Sequence, residues 1–151
     1  MRNTNEMELI FDSMSINEGF ARVAVAAFMT QLNPTLEEVA DVKTAVSEAV
    51  TNSIIHGYEK RVEKIRIHCK LQEQTLYIEI EDHGTGIEDV EKAMQPLFTT
   101  KPELERSGMG FSFMEAFMDD ISVESEPGKG TVVKMQRRIG KGRELWTTQS
   151  L

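Results

Sequence analysis

Lys64-Ile65-Arg66-Ile67-His68-Cys69-Lys70-Leu71, a polar joint Gln72-Glu73-Gln74, and then Thr75-Leu76-Tyr77-Ile78-Glu79-Ile80-Glu81-Asp82 run directly into His83-Gly84-Thr85-Gly86. Apolar side chains fall at every second position, at 65, 67, 69 and 71 and again at 76, 78 and 80. That period places them on one face of a pleated strand, and the short joint predicts an antiparallel hairpin with one buried face. A sheet with one apolar face needs a second layer to cover it, and the flanking sequence supplies helices.

On the N-terminal side, Glu8 to Phe11 reads as a short strand at a sheet edge. Ser15 and Glu18 have the spacing of a capping box and predict a helix from Ile16 to Leu32, stopped by Asn33-Pro34. Thr35 and Glu38 repeat that signature and predict a second helix from Leu36 to His56, stopped at Gly57, with Val39, Val42, Val46, Val50 and Ile54 as its core stripe. On the C-terminal side the sequence predicts a short helix from Glu88 to Met94, a polar loop to Ser107 and a helix from Gly110 to Asp119. Two strands follow, Ile121 to Ser125 and Thr131 to Arg138, joined through Pro127-Gly128-Lys129-Gly130. The expected fold class is α+β, a two-layer sandwich of helices on a mixed, mostly antiparallel sheet. One domain is expected over residues 1–139, and the aperiodic tail 140–151, which contains Trp146, is expected to be mobile.

Composition narrows the function classes. The 151 residues are 40% hydrophobic and 28% charged, ordinary for a soluble globular chain. With 25 acids against 17 bases the net charge is −8, which disfavours broad electrostatic binding of nucleic acid or anionic membrane. No apolar run approaches the length of a membrane span, and no export signal follows Met1. The single cysteine, Cys69, lies on the apolar face of a strand and reads as a packed thiol. A cytoplasmic location is the expectation.

Four segments carry possible chemistry, in a fixed order. Glu48 and Asn52, four apart on the second helix, share one face rotated from the valine stripe. A carboxylate there can accept a proton and a carboxamide oxygen can ligate Mg²⁺, although an isolated pair of this kind also fits a solvated face. Asp82-His83-Gly84-Thr85-Gly86 follows a strand; its glycines permit close backbone approach and its aspartate can accept from an exocyclic amine, although a plain turn has the same composition. Ser107-Gly108-Met109-Gly110-Phe111 opens a helix whose free amides suit a phosphate. The preceding polar loop, Phe98 to Arg106, reads either as surface or as a lid bringing Lys101 and Arg106. Gly128-Lys129-Gly130-Thr131 is a hairpin turn whose threonine enters the site only if the pleat turns it inward.

Taken together, these motifs resemble the Bergerat-fold (histidine-kinase-type, GHKL) ATPases over Val42 to Val133. A sensor histidine kinase would carry a dimerising helical hairpin with a phospho-accepting histidine ahead of this domain, and none is expected here. Pro96 to Phe111, Thr44 to Asn52 and Ile55-His56-Gly57-Tyr58 are similar to the anti-sigma factor serine kinases, and among them to the sporulation anti-sigma F factors (stage II sporulation protein AB). His83 stands where that pattern leads one to expect a Glu or similar residue.

The resemblance implies ATP or ADP and Mg²⁺ as cofactors. It implies Glu48 as the catalytic residue, orienting or deprotonating a serine hydroxyl, and Asn52 as the metal ligand. It implies adenine reading by Asp82 with Thr131 nearby, backbone clearance at Gly84 and Gly86, and phosphate contacts from Gly108 and Gly110 under Lys101 and Arg106. Thr99, Thr100, Ser107 and Met109 complete the implied nucleotide-binding segment. It further implies a sigma F-like sigma factor held inactive, an anti-anti-sigma factor phosphorylated on serine, a homodimer, and Arg22 as a partner contact. Two alternatives stay open: the same fold regulating a stress-response sigma factor, or an ATP-gated binding module without kinase activity.

Overall fold

The structure, a computed structural model, describes residues 4–94 and 110–140. The expected hairpin is present as β2 (Lys64–Gln72) and β3 (Thr75–Asp82), with Ile67 opposite Ile80 and Cys69 opposite Ile78. Its turn is tighter than the sequence suggested: two residues, Glu73 and Gln74, join the strands, and Glu73 takes a left-handed φ of 56°. With β1 (Thr4–Asp12), β4 (Asp120–Glu126) and β5 (Gly130–Arg138), the hairpin forms one sheet in the order β1-β2-β3-β5-β4. All four pairings are antiparallel, where the sequence left room for a mixed sheet. β1 takes the edge position expected for it.

Among the described residues the α-helices are α1 (Ser15–Met29), α2 (Leu36–Asn52), α3 (Val90–Ala93) and α4 (Gly110–Phe117), and α2 packs against both α1 and α4. Val42, Val46 and Val50 are fully buried while Val39 and Ile54 pack at the rim, so the predicted stripe is the core face of α2. Facing it are Ile65, Ile67 and Cys69 of β2 and Leu76, Ile78 and Ile80 of β3. Burial of an aliphatic side chain of this size contributes about 1.5–3 kcal/mol, so this contact dominates the energetics that join the two layers. The other face of the sheet carries cross-strand charge pairs, among them Arg66 with Glu8 at 2.9 Å and Lys134 with Glu124 at 3.3 Å. It therefore stays wet while the first face packs.

The two capping boxes read from the sequence fare differently. At α2 the Glu38 amide donates to Thr35 Oγ1 and the Thr35 amide donates to Glu38 Oε1, a reciprocal pair. At α1 the cap position is Met14, one residue earlier than expected, with no side-chain cap bond. The Glu18 carboxylate there points along the helix to Arg22 instead of back to Ser15. Helix α1 also ends sooner, passing at Thr30 into one 3₁₀ turn, Thr30–Leu32, closed by left-handed Asn33.

Helix α2 does not stop at Gly57 as a simple α-helix. After Asn52 the chain makes a π-helical turn, Ser53–Gly57, in which the Tyr58 amide donates to the Ser53 carbonyl at 2.9 Å. Such turns are rare and cluster at functional sites. This one lies against the C-terminal end of β3, where the glycine-rich segment begins.

Candidate active site

Asp82 ends β3 on the helix-covered face of the sheet and is 4% exposed. Its carboxylate is held from several sides. Ser53 Oγ donates to Oδ2 at 2.7 Å, and the Gly84 amide donates to Oδ1 at 2.9 Å. Gly57 lies flat against it: a Cβ on that residue would stand 3.0–3.1 Å from both oxygens and the carboxyl carbon. Burial pushes the Asp82 pKa above the usual aspartate value, while Ser53, Gly84, His83 and the Thr131 backbone pull against that shift. A carboxylate offers about four acceptor sites, so these donors leave capacity for a further N–H. That capacity suits the exocyclic amine of adenine.

The loop after Asp82 is fitted to its surroundings by backbone alone. The Thr85 amide donates to the Gly57 carbonyl at 2.8 Å, and a side chain on Gly84 would overlap that same carbonyl. Gly86 has φ of 77° and sits against the Glu126 carbonyl, where no Cβ fits. The Tyr58 hydroxyl accepts from the His83 amide at 2.7 Å and donates to the Lys64 carbonyl at 2.6 Å, tying the loop to the start of β2. The His83 ring is exposed, 3.8 Å from Glu81, in keeping with a surface turn residue.

Thr131 stands opposite Asp82 in the β3–β5 register and is buried, so the pleat does turn it to the same face. Its hydroxyl lies 2.8 Å from Ser125 Oγ, which also accepts from the Ile87 amide at 2.7 Å. Glu48 and Asn52 are half-buried and one turn apart on the last turns of α2, and Asn52 directly precedes Ser53. Gly110 is the first residue of α4, as expected of a helix entry. Thr99, Thr100, Lys101, Arg106, Ser107, Gly108 and Met109 lie outside the described residues, as does the tail from 141 onward. Arg22 sits on α1 with its guanidinium engaged by Glu18 at 2.9 Å.

The described residues therefore bring Asp82, Gly84, Gly86 and Thr131 to one end of the sheet, beside the helix end that carries Asn52. Four members of this cluster were not singled out for a role from sequence. Ser53 and Ser125 carry no sequence signal, being ordinary serines in a helix and a strand. Gly57 and Tyr58 read as a helix stop and its neighbour, and only the fold shows that both touch the Asp82 loop.

Among the described residues no group of three or more His, Cys, Asp or Glu side chains is arranged to hold a metal, and no helix is long and apolar enough to cross a membrane. Mg²⁺ keeps several waters and substrate phosphates among its ligands and needs only one or two protein oxygens. A single carboxamide such as Asn52 fits that demand.

A family model described as a histidine kinase-like ATPase domain matches residues 16–137. An anti-sigma F factor of Thermoanaerobacter sp. (strain X514) is 59% identical over 143 residues, covering 95% of this chain and 100% of the relative. The anti-sigma F factor of Bacillus subtilis (strain 168) is 55% identical over 142 residues, covering 93% and 97%. A crystal structure of the RsbU and RsbW domains of Rv1364c from Mycobacterium tuberculosis matches with a TM-score of 0.65 at 17% identity, over 89% of this chain. This chain spans 32% of that longer one, and the likeness bears on the fold alone. The chain belongs to the anti-sigma F factors, a family carried on the histidine kinase-like ATPase domain.

Proposed function

We propose that this protein binds and inhibits a sporulation sigma factor of the sigma F type, and that it uses Mg-ATP to phosphorylate a serine of an anti-anti-sigma partner. The observation that carries the reading is that a chain of this family keeps, buried and doubly hydrogen-bonded, a carboxylate able to accept from an adenine amine. The protein acts as a homodimer in the cytoplasm, with Arg22 at a partner surface.

In this reading Asp82 fixes the base, and Thr131 supports that end of the site. Gly84 and Gly86 let the loop backbone pass close to the nucleotide. Asn52 holds Mg²⁺, which supplies charge neutralisation on the phosphate oxygens. Thr99, Thr100, Lys101, Arg106, Ser107, Gly108, Met109 and Gly110 surround the phosphates and bring the local positive charge and amides that a protein of net charge −8 otherwise lacks. Glu48 orients the hydroxyl of the partner's serine. The serine oxygen then forms a bond to the γ-phosphorus as the bond to the ADP oxygen breaks, and the hydroxyl proton passes to Glu48 or to solvent. Phosphoryl transfer of this kind depends on positioning and charge neutralisation more than on covalent catalysis.

The test is a transfer assay with purified protein, Mg-ATP and an anti-anti-sigma protein, read by mass spectrometry for phosphoserine on the partner. The wild type is expected to give phosphoserine only with Mg²⁺ present. Glu48→Gln is expected to keep nucleotide binding while transfer falls about 10²–10⁴-fold, the range of a lost general base. Undiminished transfer by that variant removes Glu48 from its assigned role. ATP binding without any transfer favours a nucleotide-gated binding module.

A further inference from the structure

Ser53 is a buried hydroxyl, 5% exposed, and its hydrogen bond reaches Asp82 across 29 residues of sequence. It opens the π-helical turn, so its position relative to β3 is set by that turn's irregular geometry and not by an ordinary helix end. Of the groups around the Asp82 carboxylate, the Gly84 amide belongs to the loop itself and Gly57 offers only bulk. Among the described residues, Ser53 is the side-chain donor that ties the carboxylate to the helix layer. Without it, Oδ2 would lose a donor in a place nearly closed to water, and the carboxylate would be freer to turn or to take up a proton.

We propose that Ser53 is a positioning residue for base selection, holding Asp82 as an oriented acceptor so that the site takes a purine bearing an exocyclic amine and rejects one bearing a carbonyl there. The inference rests on the nucleotide reading above and deepens it. An ionised Asp82 accepts from the 6-amino group of adenine and repels the 6-oxo group of hypoxanthine. A protonated Asp82 can donate to that oxo group, so weakening the hold on the ionised form erodes the selection. Among the described residues, the titratable groups that act on Asp82 are Tyr58 from the end of the π-turn and His83 from the loop, while Ile65 from β2 and Thr131 from β5 bring none.

The experiment measures binding of ATP and of inosine triphosphate to the full chain by calorimetry across pH 4.5–8, for wild type, Ser53→Ala and Ser53→Thr. Wild type is expected to prefer ATP, with affinity falling on acidification as Asp82 takes up a proton. Ser53→Ala is expected to cut the ATP-to-inosine-triphosphate preference by about tenfold, the worth of one charge-assisted hydrogen bond. Its acid limb should move to higher pH, and Ser53→Thr should restore both. Equal loss toward the two nucleotides, or an unmoved pH profile in Ser53→Ala, would reduce Ser53 to a structural hydroxyl and overturn the proposal. If Ser53→Thr is too crowded to fold, the pH shift in Ser53→Ala decides alone. Wild type that binds neither nucleotide would overturn the nucleotide reading itself, a result distinct from a wild type that binds ATP with Ser53 indifferent.

Discussion

Replacing Asp82 by asparagine separates what this side chain does for the fold from what it does for a ligand. The two are nearly isosteric, and the surroundings accept the amide in one orientation. Its oxygen can keep the Gly84 amide at the Oδ1 position, and its NH₂ can face Ser53 Oγ, which turns to accept. No buried donor is left facing another donor. The charge is lost, however, and with it the charge-assisted bond to an adenine amine, worth about 1.5–3 kcal/mol. That converts to about 10- to 150-fold weaker binding of ATP.

Stability moves the other way. Burial raises the Asp82 pKa in the folded state above its unfolded value, so the folded form favours the protonated acid. The stability associated with that protonated form is fully present below the unfolded pKa and is lost as pH rises through the raised folded one. Asparagine behaves like the protonated acid at every pH. Asp82→Asn is therefore expected to melt at or above the wild-type temperature at pH 7, with the difference shrinking as the pH falls toward 4. Calorimetric ATP titration alongside thermal melts at pH 4.5, 6 and 7.5 checks both limbs. ATP affinity within threefold of wild type in a fully folded Asp82→Asn protein would refute the assignment of Asp82 to the base. A melting temperature well below wild type at neutral pH would refute the account of its burial.

Two further outcomes follow from the packing. Gly84→Ala places a methyl group into the Gly57 carbonyl, a collision with backbone that no rotamer relieves, and should cost on the order of 1–3 kcal/mol. In a domain of this size that is roughly 3–10 °C of melting temperature, and a Gly84→Ala melt within 1 °C of wild type would show that the loop gives way freely. The Cys69 thiol is fully buried and its pKa is pushed up to about 12 by that burial, so it should resist a thiol reagent in the native protein and react stoichiometrically once denaturant is added. Rapid labelling under native conditions at pH 8 would mean that β2 opens far more readily than its place between β1 and β3 implies.

The loop glycines show where sequence reasoning reaches and where it stops. Gly84 and Gly86 stand out in the sequence because alternate glycines after a strand imply close backbone approach. What they approach, the Gly57 carbonyl and the Glu126 carbonyl, is 27 and 40 residues away and has no local signature. Ser15 and Thr35 make the same point in opposite outcomes. Both have a glutamate three residues on, yet only the Thr35 box forms, because the Glu18 carboxylate has Arg22 one turn ahead of it as a competing partner.

The two hairpins, the valine face of α2 and the two-layer arrangement follow from the sequence alone. Period-two and helical apolar spacing are local properties, and covering one face of a sheet leaves few arrangements. The family membership was legible for a similar reason, since motifs with functional spacing lie in short, contiguous stretches. The holding of Asp82 was decided by the tertiary structure. Ser53, Gly57, Gly84 and Thr131 meet only because a π-helical turn docks at the end of β3 while β5 pairs with it in one register. Hydrogen bonds reaching across 29 residues are set by how layers pack, and no spacing within a single segment encodes them.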